Sequence, residues 1–293
     1  MHKFLRAVGF SGIDSREKLQ PLISLTIKNA TERSFTTLED DVLVAEYALN
    51  YGHGIGIKVF GEMDKEDRFI FDYCYPYFRA DNISSSEQIM VERHAAHISY
   101  AGELEDERVG ISIIFYLLNC IPYIMKKNTG NLPKSGCTVS LTGLSLDGTI
   151  MMPVVKNPKE VKKAKENSKN RNILMEAAKK GDESAIESLT LSDMDMYTQI
   201  SKKIRNSDIY TLVETYFMPY GIECDQYSIL GEIEDWRLVK NSVTGEEVYE
   251  LLLTCNEVKL SVCINKMDLL GEPEKGRRFK GNIWLQGYIN YPE

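Results

Sequence analysis

The chain has 293 residues, carries a formal net charge of −8 at pH 7 and is 43% hydrophobic. A chain of this length and composition can bury a sizeable core, which excludes an intrinsically disordered protein. The negative charge argues against a nucleic-acid partner, because duplex binding depends on neutralising phosphates. The six cysteines include no Cys-x-x-Cys pair and stand mostly beside apolar residues. This pattern excludes a zinc ribbon and predicts reduced, buried thiols in the cytoplasm.

The first part of the chain predicts one helix followed by strands. Ser15–Lys28 places Leu19, Leu22 and Ile23 at helical spacing and has an acidic residue near its start. Runs rich in β-branched and aromatic residues then predict strands near residues 42–50, 55–61, 68–75 and 87–100. The charged start of the chain leads into no apolar region, so a signal peptide is not expected.

The segment from Val109 to Met125 is nearly all apolar, which is typical of either a membrane span or buried strands. It is slightly short for a membrane span and contains Asn119 and Pro122. We therefore predict core sheet, either one long strand or two strands with a turn at residues 119–122, and no membrane partner. Further on, Asp147-Gly148 predicts a hairpin turn between strands 138–144 and 149–155, because Asp-Gly supplies the positive φ angles of tight turns.

The second part of the chain changes from helices back to strands. Residues 157–217 lack strand-like alternation and predict three or four helices, one ending at Gly181 and another beginning near Ser192. Strands are predicted again near 227–239, 247–255, 258–265 and 279–290, with a turn at 241–245. This segregation of strands and helices predicts an α+β fold and argues against βαβ units.

Matching segments indicate an internal duplication. Gly102-Glu-Leu-Glu-Asp106 matches Gly231-Glu-Ile-Glu-Asp235, an apolar run ending in Asn follows each, and Gly143 then corresponds to Gly281. The alternative is that Gly-Glu followed by apolar and acidic residues is a common end of a strand. We predict two related antiparallel β modules flanking a helical insert. The boundaries are an N-terminal α+β module at 1–156, a helical segment at 157–218 and a C-terminal β module at 219–293.

The stretch from Asp268 to Gly281 is the most unusual in charge. Two glycines followed by Arg277-Arg278 resemble a phosphate-binding loop. Such a loop needs Lys and then Ser or Thr after its second glycine and a helix beyond, whereas here two arginines and a predicted strand follow. A Walker A loop is therefore excluded. The arginines suit a carboxylate or phosphate ligand, and the alternative is a charged loop in which they pair with acids such as Glu272. Our candidate ligand-binding residues here are Asp268, Glu272, Arg277 and Arg278.

Trp284 and Gln286 complete the candidate ligand site. They alternate on the last predicted strand and so share one of its faces. An aromatic and an amide side chain on one face are typical of a surface that binds a small ligand or a peptide. The alternative is that they pack two sheets around a tryptophan.

His94 and His97, preceded by Glu92, are a weak candidate for a metal site. The predicted strand places the two histidines on opposite faces, whereas a helix would place them on one. We therefore predict no metal and no cofactor. The chain also lacks the Gly-x-Ser-x-Gly motif of a nucleophile elbow, and Cys137 is interpreted as a buried thiol.

Three runs resemble a domain-of-unknown-function family of proteins from anaerobic Gram-positive bacteria. They are His2–Phe10, Phe217–Tyr227 and Asp268–Gly287, the last with its Gly-Arg-Arg-Phe-Lys-Gly and Ile-Trp-Leu-Gln-Gly segments. The resemblance covers nearly the whole chain. It implies a bacterial, cytoplasmic, stand-alone protein and supplies no activity, cofactor or catalytic residue.

These observations predict a binding or regulatory protein with a small anionic ligand or a protein partner. The alternative is a hydrolase or transferase whose site assembles at a groove between the modules. Its residues would be scattered ones such as His94, Glu103, Asp268 and Arg277, because active sites are defined by geometry and not by order in the sequence.

Overall fold

The computed structural model describes residues 2–38, 42–93, 99–153, 170, 173–175, 177–178, 180–191, 194 and 213–292. The chain divides into two compact units, residues 1–151 together with 215–293, and residues 152–214. The fold is α+β, as predicted. In the second unit residues 183–191 are helical, and the predicted stop at Gly181 is confirmed by its left-handed φ of 87°.

The first unit is built from strands with two helices, α1 (Arg16–Asn29) and α2 (Cys120–Asn128). Short 3-10 turns lie at Lys3–Val8 and Lys266–Asp268. The strands are β1 (Glu32–Thr37), β2 (Leu43–Asn50), β3 (Ile55–Met63), β4 (Phe69–Phe78), β5 (Ile89–Arg93), β6 (Tyr100–Asp106), β7 (Ile111–Leu117), β8 (Thr138–Met151), β9 (Tyr216–Pro219), β10 (Gln226–Lys240), β11 (Glu247–Cys255), β12 (Val258–Asn265), β13 (Leu269–Leu270) and β14 (Arg278–Asn290).

The first sheet has the order β1-β2-β3-β4, and all its pairs are antiparallel. Helix α1 packs on β2 and β3 through its buried Leu19, Leu22 and Ile23. The helix begins where Ser15 accepts a hydrogen bond from the backbone N–H of Lys18, a common N-cap. The predicted helix and the three predicted strands of this sheet are confirmed.

The second sheet closes on itself. Strand β8 pairs with β14, β14 with β10, β10 with β11, β11 with β12, and β12 pairs back with β8. One face of these strands belongs to a core that includes Leu251, Val262 and Leu285. The other face, with Val248 and Trp284, packs in a second core with residues of α1 and of the first sheet. Two residues of β14 also pair with β7, which attaches β7, β6 and β5 to this closed ring.

Three strand pairs in the second sheet are parallel: β8 with β12, β8 with β13, and β14 with β7. Each of them joins a strand of the segment 1–156 to a strand of the segment 219–293, whereas the strand pairs within each segment are antiparallel. Turn residues indicate the direction of strands that follow one another, whereas each of these pairs joins strands far apart in the chain. Strands from both sides of residues 152–214 consequently share one sheet.

The predicted hairpin at Asp147-Gly148 was wrong, because β8 runs unbroken from Thr138 to Met151. The Asp-Gly pair marks a bulge, where two residues of β8 lie opposite Asn282 of β14. Gly148 is needed for space and not for a turn. A Cβ atom there would lie 2.5 Å from the ring of Phe279.

The apolar segment 109–125 is a strand followed by a helix. Strand β7 ends at Leu117 and α2 begins at Cys120, so the prediction of sheet throughout was wrong. Pro122 falls in the first turn of α2, where its missing N–H costs no helical hydrogen bond. Near the other end of the chain, Tyr216 and Phe217 begin strand β9, although the sequence predicted helix there. No helix in the described part of the chain is long and apolar enough to span a bilayer.

Candidate functional site

The charged residues predicted from the loop before β14 are held by other protein groups. Arg6 binds Asp268 through two hydrogen bonds, from Nε to Oδ2 at 2.6 Å and from Nη2 to Oδ1 at 2.7 Å. Glu272 accepts a hydrogen bond of 2.8 Å from the hydroxyl of Tyr249. Arg277 lies 2.9 Å from a carboxylate oxygen of Glu274. These contacts fix the loop against its surroundings.

The candidates on β14 are buried. Trp284 donates a hydrogen bond of 2.7 Å from Nε1 to Oδ2 of Asp225 and stacks on Phe4. Gln286 donates from Nε2 to the carbonyl of Pro76 at 2.9 Å and accepts from the backbone N–H of Phe78 at 3.1 Å. Arg278 is likewise buried. Trp284 and Gln286 thus join β14 to the first sheet and to the start of the chain.

The metal candidates His94 and His97 lie outside the described residues. Among the residues that the structure describes, no three His, Cys, Asp or Glu side chains are grouped so that they can hold a metal ion.

The structure contains a pocket of about 330 Å³ that the sequence analysis did not predict. We call it the Glu250 pocket. Its volume lies in the range that small-molecule sites occupy. It is lined by Phe78, Ala80, Asp81, Asn82, Asp235, Trp236, Arg237, Glu250, Leu251, Leu252 and Ser261.

Three adjacent strands of the closed ring position one wall of this pocket. Arg237 of β10 lies opposite Glu250 of β11, and Leu252 of β11 lies opposite Ser261 of β12. Side chains alternate along a strand, so these four project from the same face of the sheet. The segment that leaves β4 forms the other wall, and it is attached by a hydrogen bond of 2.6 Å from Ser261 Oγ to Asn82 Oδ1.

Glu250 is the buried charge of the pocket, with a side chain that is 3% exposed. Its Oε2 forms an ion pair with Nε of Arg237 and lies 3.4 Å from Nδ1 of His53. Its Oε1 makes neither contact and lacks a hydrogen bond from any described residue. Nδ2 of Asn82 is also buried, and no described residue accepts a hydrogen bond from it. Burial raises the pKa of Glu250 above its ordinary value, while the neighbouring Arg237 and His53 oppose the rise.

His53 links Arg237 and Glu250 from the turn between β2 and β3. The turn is closed by Gly54, whose left-handed φ of 67° suits a residue without Cβ. Nη1 of Arg237 lies 3.2 Å from Nε2 of His53, and Nδ1 of His53 faces Glu250. Because a guanidinium can only donate, Nε2 of His53 is the acceptor in its contact with Arg237.

A smaller hollow of about 180 Å³, lined by residues that include His53 and Lys58, offers a comparison. Its buried polar groups are satisfied within the protein. Lys58 donates to Glu46 at 2.6 Å and to the carbonyl of Leu118 at 2.7 Å, and Tyr77 donates to Asn50 at 2.7 Å. Buried polar groups are normally paired in this way, so the unsatisfied atoms of the Glu250 pocket are unusual, as are Nδ1 of His2 and the hydroxyl of Tyr291 among the described residues.

A family of proteins is matched along almost the whole chain. The model of a domain of unknown function described from an E. rectale gene (DUF3881) covers residues 5–287. The chain belongs to this family. No curated protein and no solved structure matches it. The DUF3881 match brings no catalytic family or motif with it, so the chemistry of the site rests on its residues.

Sequence reasoning missed the Glu250 pocket, although one signal was present. Glu250 interrupts the otherwise apolar Tyr249–Leu253 segment of a predicted core strand. A lone charge on a buried strand needs a partner, because isolated buried charges are costly. The partners Arg237 and His53 come from other parts of the chain, so no local pattern identifies them.

Proposed function

We propose that the protein is a non-catalytic binding protein whose small-molecule site is the Glu250 pocket. The observation that carries this proposal is the buried carboxylate of Glu250, whose Oε1 accepts no hydrogen bond from a described residue. Leaving such a group unsatisfied costs on the order of 1–3 kcal/mol or more. A ligand that donates to Glu250 offsets this cost, and it finds a preformed hollow of suitable size.

Binding fits the pocket better than catalysis does. A hydrolase or transferase would need a nucleophile next to a base. Ser261, the hydroxyl of the pocket, instead donates its hydrogen bond to the amide of Asn82. Arg237 and His53 contact only Oε2 of Glu250, and no hydroxyl of the pocket lining is paired with this carboxylate, which supports a role in holding a ligand.

A ligand screen with two variants tests the proposal. Amines, polyols, sugars, dicarboxylates and nucleotides are added to the purified protein and its thermal unfolding midpoint is measured. A ligand present at about a hundred times its Kd stabilises the fold by about 2.7 kcal/mol. We expect at least one class to raise the midpoint of the wild type and not of Glu250→Gln. Glu247→Gln, in the same strand but exposed, is the matched control and should respond like the wild type. Equal responses in all three proteins would place the site elsewhere.

The loop of Asp268, Glu272, Arg277 and Arg278, with Trp284 and Gln286, is a second proposed contact site, for a small anion or a protein partner. Its support is the sequence pattern together with the partial exposure of Arg277. The ion pairs of Asp268 and Arg277 weaken it, since a ligand must compete with them.

We also infer that the segments 1–156 and 219–293 arose by duplication, with 157–218 inserted between them. Support comes from equivalent strand contexts. The first Gly-Glu segment lies on β6, which pairs antiparallel with β7, and the second on β10, which pairs antiparallel with β11. Gly143 and Gly281 lie on β8 and β14, which pair with each other.

A further inference from the structure

The lining of the Glu250 pocket carries more negative than positive charge. Asp81, Asp235 and Glu250 contribute three carboxylates, whereas Arg237 contributes one guanidinium. Lys275 compensates Asp235 from outside the lining, at 3.1 Å. Asp81 stands exposed at the rim. The electrostatic field of the pocket therefore favours a cation over an anion.

The unsatisfied atoms require two kinds of ligand group. Oε1 of Glu250 lacks a hydrogen-bond donor among the described residues, and Nδ2 of Asn82 lacks an acceptor there. An ammonium offers three donors, and its hydrogen bonds to a carboxylate are roughly twice as strong as those between neutral groups. A ligand carboxylate would satisfy Asn82 but would place a like charge beside Glu250, which costs free energy.

The geometry points to a ligand that carries an ammonium group next to a neutral hydrogen-bond acceptor, such as a hydroxyl or an amide carbonyl. This inference rests on the proposed function and narrows it to one chemical class, the amino alcohols and related amines. The ammonium binds Glu250 and the acceptor binds Asn82. Arg237 keeps its own contact with Oε2 of Glu250, so the ammonium faces Oε1.

Three small probes that differ in one group test the inference. Ethanolamine, ethylene glycol and glycolate each carry a hydroxyl, joined to an ammonium, a second hydroxyl or a carboxylate. Their Kd values are measured by NMR titration of the wild type near neutral pH. We expect ethanolamine to bind at least tenfold more tightly than either of the other two. Glu250→Gln should weaken ethanolamine at least tenfold and leave ethylene glycol unchanged.

Two further variants keep the test independent of folding. Asp81→Asn alters an exposed rim residue and should weaken ethanolamine by a smaller factor than Glu250→Gln, whereas the control Glu247→Gln should not weaken it. Equal or tighter binding of ethylene glycol or glycolate would overturn the ammonium assignment while leaving the pocket as a binding site. Failure of ethanolamine to bind would overturn the assignment as well. The proposed function itself is refuted only if no compound class in the thermal-unfolding screen gives a stabilisation that depends on Glu250.

Discussion

The ammonium of Lys58 lies 2.6 Å from Oε1 of Glu46 in the buried space beneath the first sheet. The hydroxyl of Tyr75 donates to the second oxygen of Glu46 at 3.0 Å, and Lys58 also donates to the carbonyl of Leu118 in the turn that follows β7. Burial acts to lower the pKa of Lys58, but the charge and the hydrogen bond of Glu46, together with Cys120 and Glu32, outweigh it and raise that pKa. Lys58 therefore connects the first sheet to the turn that follows β7, and its contact with Glu46 favours the charged form of the lysine.

Breaking this pair should destabilise the protein strongly. Lys58→Met leaves the carboxylate of Glu46 buried without its cation, and we expect a loss of about 3–5 kcal/mol in the free energy of unfolding. Urea denaturation measures it. Lys18→Met, which removes an exposed partner of Asp14, is the control and should cost at most about 1 kcal/mol. Adding Glu46→Gln to Lys58→Met should restore part of the loss. Similar denaturation midpoints for both lysine variants would contradict the role of the pair.

The pH dependence of stability should reveal the raised pKa of Glu250. Above the ordinary pKa of 4.5, unfolded Glu250 is ionised while the folded protein keeps its proton until the higher pKa is reached. The folded state binds more protons in this window, so wild-type stability falls as pH rises through it. Glu250→Gln lacks this titration. Its unfolding midpoint relative to the wild type should therefore increase as pH rises above 4.5, until the raised pKa of Glu250 is passed.

Glu247→Gln provides a control of opposite sign for that measurement. A hydrogen bond from Lys266 lowers the pKa of Glu247. The ionised Glu247 therefore stabilises the folded protein above its ordinary pKa, and this stabilisation is lost as pH falls. The variant should thus lose stability relative to the wild type as pH rises. If the two variants show slopes of the same sign, the burial of Glu250 does not govern its titration.

Arg108 should stabilise the folded protein through the hydrogen-bond geometry of its guanidinium as well as through its charge. It donates from Nε to Oδ1 of Asp106 at 2.8 Å and from Nη2 to the carbonyl of Ser84 at 2.9 Å. Burial acts to raise the pKa of Asp106, but hydrogen bonds from Arg108 and Ser85 outweigh it and lower that pKa. Arg108 is one-third exposed, so we expect Arg108→Met to cost about 2 kcal/mol, less than a fully buried pair.

The comparison of Arg108→Lys with Arg108→Met separates these two effects in chemical denaturation. Lysine keeps the charge but cannot donate in the same fork, so only part of the stability should return. The advantage of the wild type over Arg108→Met should shrink as pH falls and Asp106 becomes protonated. Full recovery in Arg108→Lys would show that charge alone is sufficient.

Glycines on the strands that flank Phe115 should resist substitution. A Cβ atom at Gly102 or at Gly287 would lie 2.2 Å from the ring of Phe115. We expect Gly287→Ala to cost about 1–3 kcal/mol through overpacking, measured by thermal unfolding. Gly12→Ala is the control, because a Cβ there meets no atom within 4 Å. Phe115→Leu should relieve part of the penalty of Gly287→Ala, and the absence of any relief would show that the ring is not its cause.

The residues that were predicted well are those whose structure depends on near neighbours. Helix α1 and most strands follow from side-chain periodicity, and the turn at 241–245 from its Asn and Gly residues. The failures depend on distant groups. Gly148 signals a turn locally, yet it is there because Phe279 of β14 covers it. In the sequence Glu250 is a lone acid in an apolar strand. Its neighbours Arg237, on β10, and His53, in the turn between β2 and β3, are far from it in the chain.

The closed ring of strands has a consequence for how the chain folds. Strand β8 is synthesised well before its partners β12 and β14, and the ring cannot close until β14 has paired with both β8 and β10. Contacts of such large sequence separation are formed late and slowly. Until then both edges of β8 lack their partners, and unpaired edges invite association with other chains. Slow refolding that becomes concentration-dependent is therefore the expected behaviour of this protein.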